Sequence, residues 1–164
     1  MEITYPTRGW EYLYMEDTMG DEDYDAPLTE TCDYCGTLLR YKHYIEHPEG
    51  IVIGVGAQCC DRLTQQYNAT TNEAEAKRDR QRIRTLINSP RWTQRKNGHF
   101  IMYRGFKVII WQNPENFCLQ IQRRSFDSWT YEYTSWYYCH RSYHNEFNNA
   151  VRAGYYFIKK QNNS

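Results

Sequence analysis

The spacing of apolar positions changes several times along the chain, and each change marks an element. Trp10, Tyr12 and Tyr14 alternate with Glu11, Leu13 and Met15, which predicts a strand with one aromatic face. Leu38 to Ile45 and Ile51 to Val55 read as two more strands, and His47-Pro48-Glu49-Gly50 between them supplies turn chemistry. A helix is expected from Cys59 through Leu63 to about Tyr67. The pattern then breaks over residues 67–72. Thr70 and Glu73 have the spacing of a capping box, so a second helix is expected from near Thr71 to just before Pro90. Its apolar stripe, Ala76, Ile83, Leu86 and Ile87, is narrow.

Alternation at every second residue then returns. Strands are expected over 99–103 and 106–111, followed by a turn at Asn113-Pro114-Glu115-Asn116. Phe117, Leu119 and Ile121 alternate with Cys118, Gln120 and Gln122, the mark of a half-buried strand. A fourth strand is read over Trp129 to Tyr137. Residues 143–159 place Phe147, Ala150, Val151, Gly154 and Ile158 on one helical face. The expected fold class is α+β. Residues 1–69 form an acidic segment and a small hairpin module; residues 70–164 form an α-β-β-β(-β)-α module with helices on one face of an antiparallel sheet.

At 164 residues the chain can hold one ordinary domain or two small ones. The formal net charge is zero, but residues 1–70 carry four Lys or Arg against thirteen Asp or Glu, while residues 71–164 carry sixteen against seven. That asymmetry suits a chain whose one half meets a polyanion while the other repels or mimics it, or one whose halves neutralise each other. The first residues have neither a basic nor an apolar leader, and no long uncharged apolar run follows. The expectation is a soluble protein of the cytoplasm, the host cell interior, with no membrane partner. Six cysteines in a chain of this size fit a reducing compartment better than a disulfide framework.

The cysteines change the picture of the first module. Cys32-Asp33-Tyr34-Cys35-Gly36 is a knuckle, a tight turn that aims two thiolates at one ion. Eleven residues separate Cys35 from His47, and eleven separate His47 from Cys59. Equal arms suit a hairpin folding back on a metal, and Cys59 at the start of a helix gains from the positive end of the helix dipole. The first-choice set is Cys32, Cys35, His47 and Cys59, holding Zn2+ in a closed structural site; Cys60 and His43 are the reserves.

The string Cys32-x-x-Cys35-Gly36-x-x-Leu39-Arg40-Tyr41, then His47-Pro48, a glycine, and Val55-Gly56-x-x-Cys59 resembles a zinc-ribbon or treble-clef-like motif of uncharacterised small proteins of bacteriophages and other mobile elements. The likeness covers residues 32 to about 63. It implies zinc at Cys32, Cys35, His47 and Cys59, and a phage-type accessory role on nucleic acid or on a host defence.

Two function classes follow. Lys77, Arg80 and Arg84 recur at i, i+3 and i+7 along one flank of the second helix, and Arg91, Arg95 and Lys96 continue the basic run. Such cations neutralise phosphates, while Trp and Tyr rings stack on unpaired bases. The first reading is therefore a non-enzymatic accessory protein that binds DNA or RNA. The alternative is a protein-binding inhibitor, anti-CRISPR-like, whose acidic residues Asp17, Asp21, Glu22, Asp23 and Asp25 occupy the basic channel of a host nucleic-acid-processing protein. Neither a phosphate-cradling glycine loop nor a metalloprotease or nuclease signature is present, so no enzyme activity and no small-molecule substrate are expected.

Overall fold

The computed structural model describes residues 4–20 and 26–164. The chain is α+β, and its contacts divide it into two compact units, Met1–Asp79 and Arg80–Ser164. The first unit holds six Lys or Arg against sixteen Asp or Glu, and the second fourteen against four. Among the described residues, no helix is long and apolar enough to cross a membrane.

In the first unit, β1 (Glu11–Asp17), β4 (Tyr41–His47) and β5 (Ile51–Val55) form an antiparallel sheet in the order β1-β4-β5. A second, two-stranded hairpin joins β2 (Glu30–Thr31) to β3 (Leu38–Leu39), and its turn is the cysteine knuckle. Helix α1 (Ala57–Thr64) follows β5 directly, and α2 (Asn68–Ile87) begins four residues later. Trp10, Ile45, Ile53, Val55 and Leu63 pack with Cys32, Cys59 and Cys60 into one core.

Two local expectations change here. The aromatic face of β1 is split: the register shifts between Tyr12 and Tyr14, so Tyr12 pairs with Ile45 on the buried side while Tyr14 turns outward and stacks on Tyr44 at 4.8 Å. A bulge adds one residue and reverses the side on which every later residue lies. The start of α2 is capped from outside. Asp61 of α1 accepts the Ala69 N–H at 3.2 Å and also the Thr70 hydroxyl, so Thr70 is tied to α1 instead of capping, and the helix starts further back, at Asn68.

The second unit is built on a five-stranded antiparallel meander. Its strands are β6 (Thr93–Arg95), β7 (Gly98–Tyr103), β8 (Phe106–Gln112) and β9 (Phe117–Arg123), then a small hairpin of β10 (Phe126–Asp127) and β11 (Glu132–Tyr133), and finally β12 (Tyr137–His144). The sheet order is β12-β9-β8-β7-β6. Helix α3 (Phe147–Asn162) lays Ala150, Val151, Tyr155 and Ile158 against Val108, Ile110, Leu119 and Ile121, and Ile83 and Leu86 from the last turns of α2 join the same core. Every second strand residue points into this core, so the remaining residues form a face that neither helix covers.

The fourth long strand lies later than expected, at Tyr137–His144 rather than Trp129–Tyr137. Asp127 Oδ1 accepts the N–H groups of Trp129 and Thr130, and Tyr131 takes φ +56°, so the chain turns back on itself where alternation alone suggested extension. The result is the β10–β11 hairpin, with Trp129 and Tyr131 exposed at its tip. A bulge between Tyr138 and His140 then resets β12 against β9, and α3 starts at Phe147 instead of 143.

Candidate metal centre and cationic sheet face

The knuckle closes as a hairpin turn. Cys32 donates its N–H to Thr37 O at 2.8 Å, Gly36 donates to Cys32 O at 2.8 Å, and Gly36 has φ +75°, a conformation glycine adopts without strain. Asp33 docks this turn on β5. Its N–H donates to Gly54 O at 2.9 Å, and its Oδ2 accepts the Gly54 N–H at 2.8 Å. Lys42 lies across Gly54 and reaches Glu30 at 3.3 Å and Asp33 at 3.4 Å. Burial of its stem pulls the Lys42 pKa down, but Asp33 and Glu30 more than offset this and hold it raised.

These contacts bring Cys32 and Cys35 to Cys59 in the first turn of α1. The three Sγ atoms lie within 4.8 Å of one another, close enough to hold a metal ion, with Cys32 and Cys59 buried and Cys35 exposed. Their protonation chemistry is unequal. Thr37, through its hydroxyl at 3.3 Å and its backbone, holds Cys35 down at about 7, whereas burial, with Cys35 and Cys32 beside it, pushes Cys59 up to about 12. Three thiolates so close repel one another, and a cation between them removes that penalty. The Arg62 guanidinium, one turn along α1, lies 3.9 Å from Cys59 Sγ.

His47 is not brought to this group. It pairs with Ile51 beside the turn, whereas the cysteines gather at the opposite end of the hairpin, where His43 pairs with Val55. Four strand residues separate the two ends by about 13 Å. The equal arms that suggested His47 are what exclude it: the residue midway between the two cysteine positions is the turn, and the turn is the far end. His47 instead packs against Trp10, with ring centres 5.2 Å apart, and its Nδ1 lies 3.4 Å from Glu49. The reserves are placed elsewhere too. His43 is fully buried, with Nδ1 3.4 Å from the Tyr12 hydroxyl and Nε2 3.7 Å from Glu73. Cys60 is buried in the core, and that burial pushes its thiol up to about 12. Among the described residues, no fourth Cys, His, Asp or Glu joins the three cysteines.

The second chemical feature is the uncovered face of the five-stranded sheet. Strand register sets out three cross-strand rows: Met102, Lys107, Gln122 and Tyr138; then Thr93, Phe100, Ile109, Gln120 and Arg141; then Arg95, Gly98, Trp111, Cys118 and Tyr143. Cations sit over rings throughout. Arg95 and Lys107 lie 5.2 and 5.3 Å from the centre of Phe100, Arg124 lies 4.2 Å from Tyr133 and 4.7 Å from Trp136, and Arg141 lies 5.7 Å from Tyr138. Among the described residues, none of these four cations is paired with a carboxylate.

The basic residues expected to act together are distributed differently. Lys77 lies 4.0 Å from Glu73 and faces the Tyr41 ring, Arg80 and Arg84 both have interaction partners, and Arg91 donates to Met102 O at 2.8 Å. Lys96 is exposed in the tight β6–β7 turn, and Arg95 alone of the six lies over a ring of the sheet face. Lys107, Arg124 and Arg141 lie far apart in the sequence and form no basic run; the alternation along β8, β9 and β12 is the signal that places them on the face opposite the core. Of the acidic residues, Asp17 accepts from Arg40 at 3.1 Å. Asp21, Glu22, Asp23 and Asp25 lie outside the described residues. Compared with protein-family models, curated proteins and solved structures, the chain gives no match.

Proposed function

We propose that this chain is a non-enzymatic nucleic-acid-binding accessory protein, of the phage or mobile-element type that its cysteine motif resembles, with Zn2+ holding the first unit. The observation that carries the reading is the uncovered sheet face, where Arg95, Lys107, Arg124 and Arg141 stand over aromatic rings and, among the described residues, pair with no carboxylate. Cations arranged in this way attract phosphates, and the rings beside them offer flat surfaces to bases. An excess of ten positive charges in the second unit adds a long-range attraction for polyanions.

Zinc is the metal of choice for three thiolates gathered by a knuckle and a helix start. With three protein ligands, a tetrahedral ion keeps one position for a donor outside the set. Metal binding here supports folding of a small core, and the cation that fills the group also relieves the repulsion among its thiolates.

The test is binding of metal-loaded protein to short DNA and RNA at 50 and 200 mM salt. Four phosphates neutralised on a single strand give a loss of about 50-fold in affinity over that range. Charge reversal at Lys107 and Arg141 is expected to abolish binding, while reversal at Arg80 and Arg84 has the smaller effect. Absence of binding to any nucleic acid would sink the proposal and turn attention to a basic protein partner for the acidic unit.

A further inference from the structure

We infer that the depression on the uncovered sheet face takes an unpaired nucleobase, so that the partner of the second unit is single-stranded nucleic acid. This rests on the nucleic-acid reading above and narrows it to one substrate class. The depression has a volume of about 170 Å³ and is lined by Arg95, Gly98, His99, Phe100, Lys107, Ile109 and Trp111. Its parts have different chemistry. Ile109 is buried and gives an apolar floor, Phe100 and Trp111 give aromatic walls, and Arg95 and Lys107 stand at the rim, on either side of Phe100.

Gly98 makes the arrangement possible. A Cβ at this position would lie 2.7 Å from Trp111 Cε3 and 2.9 Å from the Ile110 carbonyl oxygen, so only glycine lets the indole lie on the β7 backbone. Trp111 is thereby held in place with 37 % of its surface exposed. An exposed tryptophan braced from behind is a stacking platform whose orientation does not have to be fixed on binding. On β9, Gln120 pairs with Ile109 and Gln122 with Lys107, and their amides, half-buried on the same face, can both donate to and accept from base edges. Tyr138 and Tyr143 extend the aromatic surface along β12.

A duplex cannot use this site, because its bases are stacked on one another and offer only edges in the grooves. A single strand offers the flat faces that the Trp111 and Phe100 walls require, and its phosphates then fall to the rim cations. Both DNA and RNA supply this chemistry, so both are tested.

The experiment measures binding of the full, metal-loaded chain to a short single strand, to its duplex, and to a strand of the same length with sugars and phosphates but no bases. Each is prepared as DNA; the strand and duplex are also prepared as RNA. The expected result is tighter binding of the single strand than of either control. Trp111→Leu, which keeps apolar bulk but removes the flat face, weakens single-strand binding by about 5- to 150-fold without changing its salt slope. Trp111→Tyr restores most of the loss. Arg95→Gln with Lys107→Gln instead lowers the slope by about 1.4. Equal binding of strand, duplex and base-free strand, with Trp111→Leu silent, overturns the base pocket while leaving nucleic-acid binding intact. Failure to bind any of them overturns both. Thermal melting of each variant separates a lost contact from a lost fold, and Phe100→Leu repeats the test should Trp111→Leu prove unstable.

Discussion

Gly54→Ala tests whether the metal knuckle is seated by the Lys42 strap. The Lys42 stem occupies the space a Cβ would need: Cδ and Cγ would each lie 2.9 Å from it, and Cε closer still. The side chain is only 11 % exposed, with its ammonium held by Glu30 and Asp33, so it cannot shift slightly and must leave. Re-exposing two to three methylenes costs about 2 kcal/mol. Losing two partly exposed ion pairs adds up to about 1 kcal/mol, and replacing a strand glycine returns roughly 0.5–1 kcal/mol. The net expectation is a destabilisation of about 2 kcal/mol, read by urea denaturation of the metal-loaded protein. Because the loss comes from Lys42, the same substitution in a Lys42→Ala background should cost nothing. Zinc affinity by chelator competition should fall with Gly54→Ala, since Asp33 adjoins Cys32 and docks through Gly54 and Lys42 together. Additivity of the two substitutions to within about 0.5 kcal/mol would refute the strap.

Three further outcomes are expected. Cys35→Ser removes an exposed thiol that contributes little packing, so it should lower metal affinity at least tenfold by chelator titration while leaving the second unit folded. Leu119→Ala deletes a fully buried side chain at the centre of the second core and should destabilise that unit by about 2–5 kcal/mol in a denaturant titration. His144, half-buried with Ser142 Oγ 2.7 Å away, has its pKa lowered by burial and by His140. Between that lowered value and the ordinary one of 6.5 the unfolded chain binds a proton that the folded chain refuses. Stability should therefore fall as pH drops through 6.5, level off below the folded value, and lose this slope in His144→Gln, as read by melts across pH 5 to 8.

The hairpin β4–β5, the strands β7, β8 and β9 and the buried face of α3 were legible in the chain, because each combines a clear period with a turn signal. Pro48 and Gly50 end one run, and Asn113-Pro114 ends another. The three-cysteine group was legible for the same reason: a knuckle and a helix start are local motifs. What failed depends on distance through the fold. His47 has the right spacing in sequence, but a hairpin converts equal sequence separation into the greatest separation in space. Trp129 to Tyr137 has as much β character as Tyr137 to His144, and only pairing with β9 and the Asp127 turn decide which of them joins the sheet. Single cations, one each on β6, β8 and β12 and one just past β9, make no local pattern in the sequence, and only the pairing of the strands assembles them into the cationic face.

Both edges of the five-stranded sheet carry a consequence for how the chain behaves when concentrated. A free strand edge is a template for adding another chain. Here β6 is only three residues of Thr, Gln and Arg, too short and polar to seed a ladder. At the other edge, β12 is eight residues long, but its bulge between Tyr138 and His140 twists the hydrogen-bonding line, and Arg141 adds a charge. A chain with so many exposed tyrosines would otherwise invite sheet-to-sheet polymerisation. Straightening β12 by deleting Cys139 would remove that guard and should be seen first as fibrillar aggregation, before any loss of the fold itself.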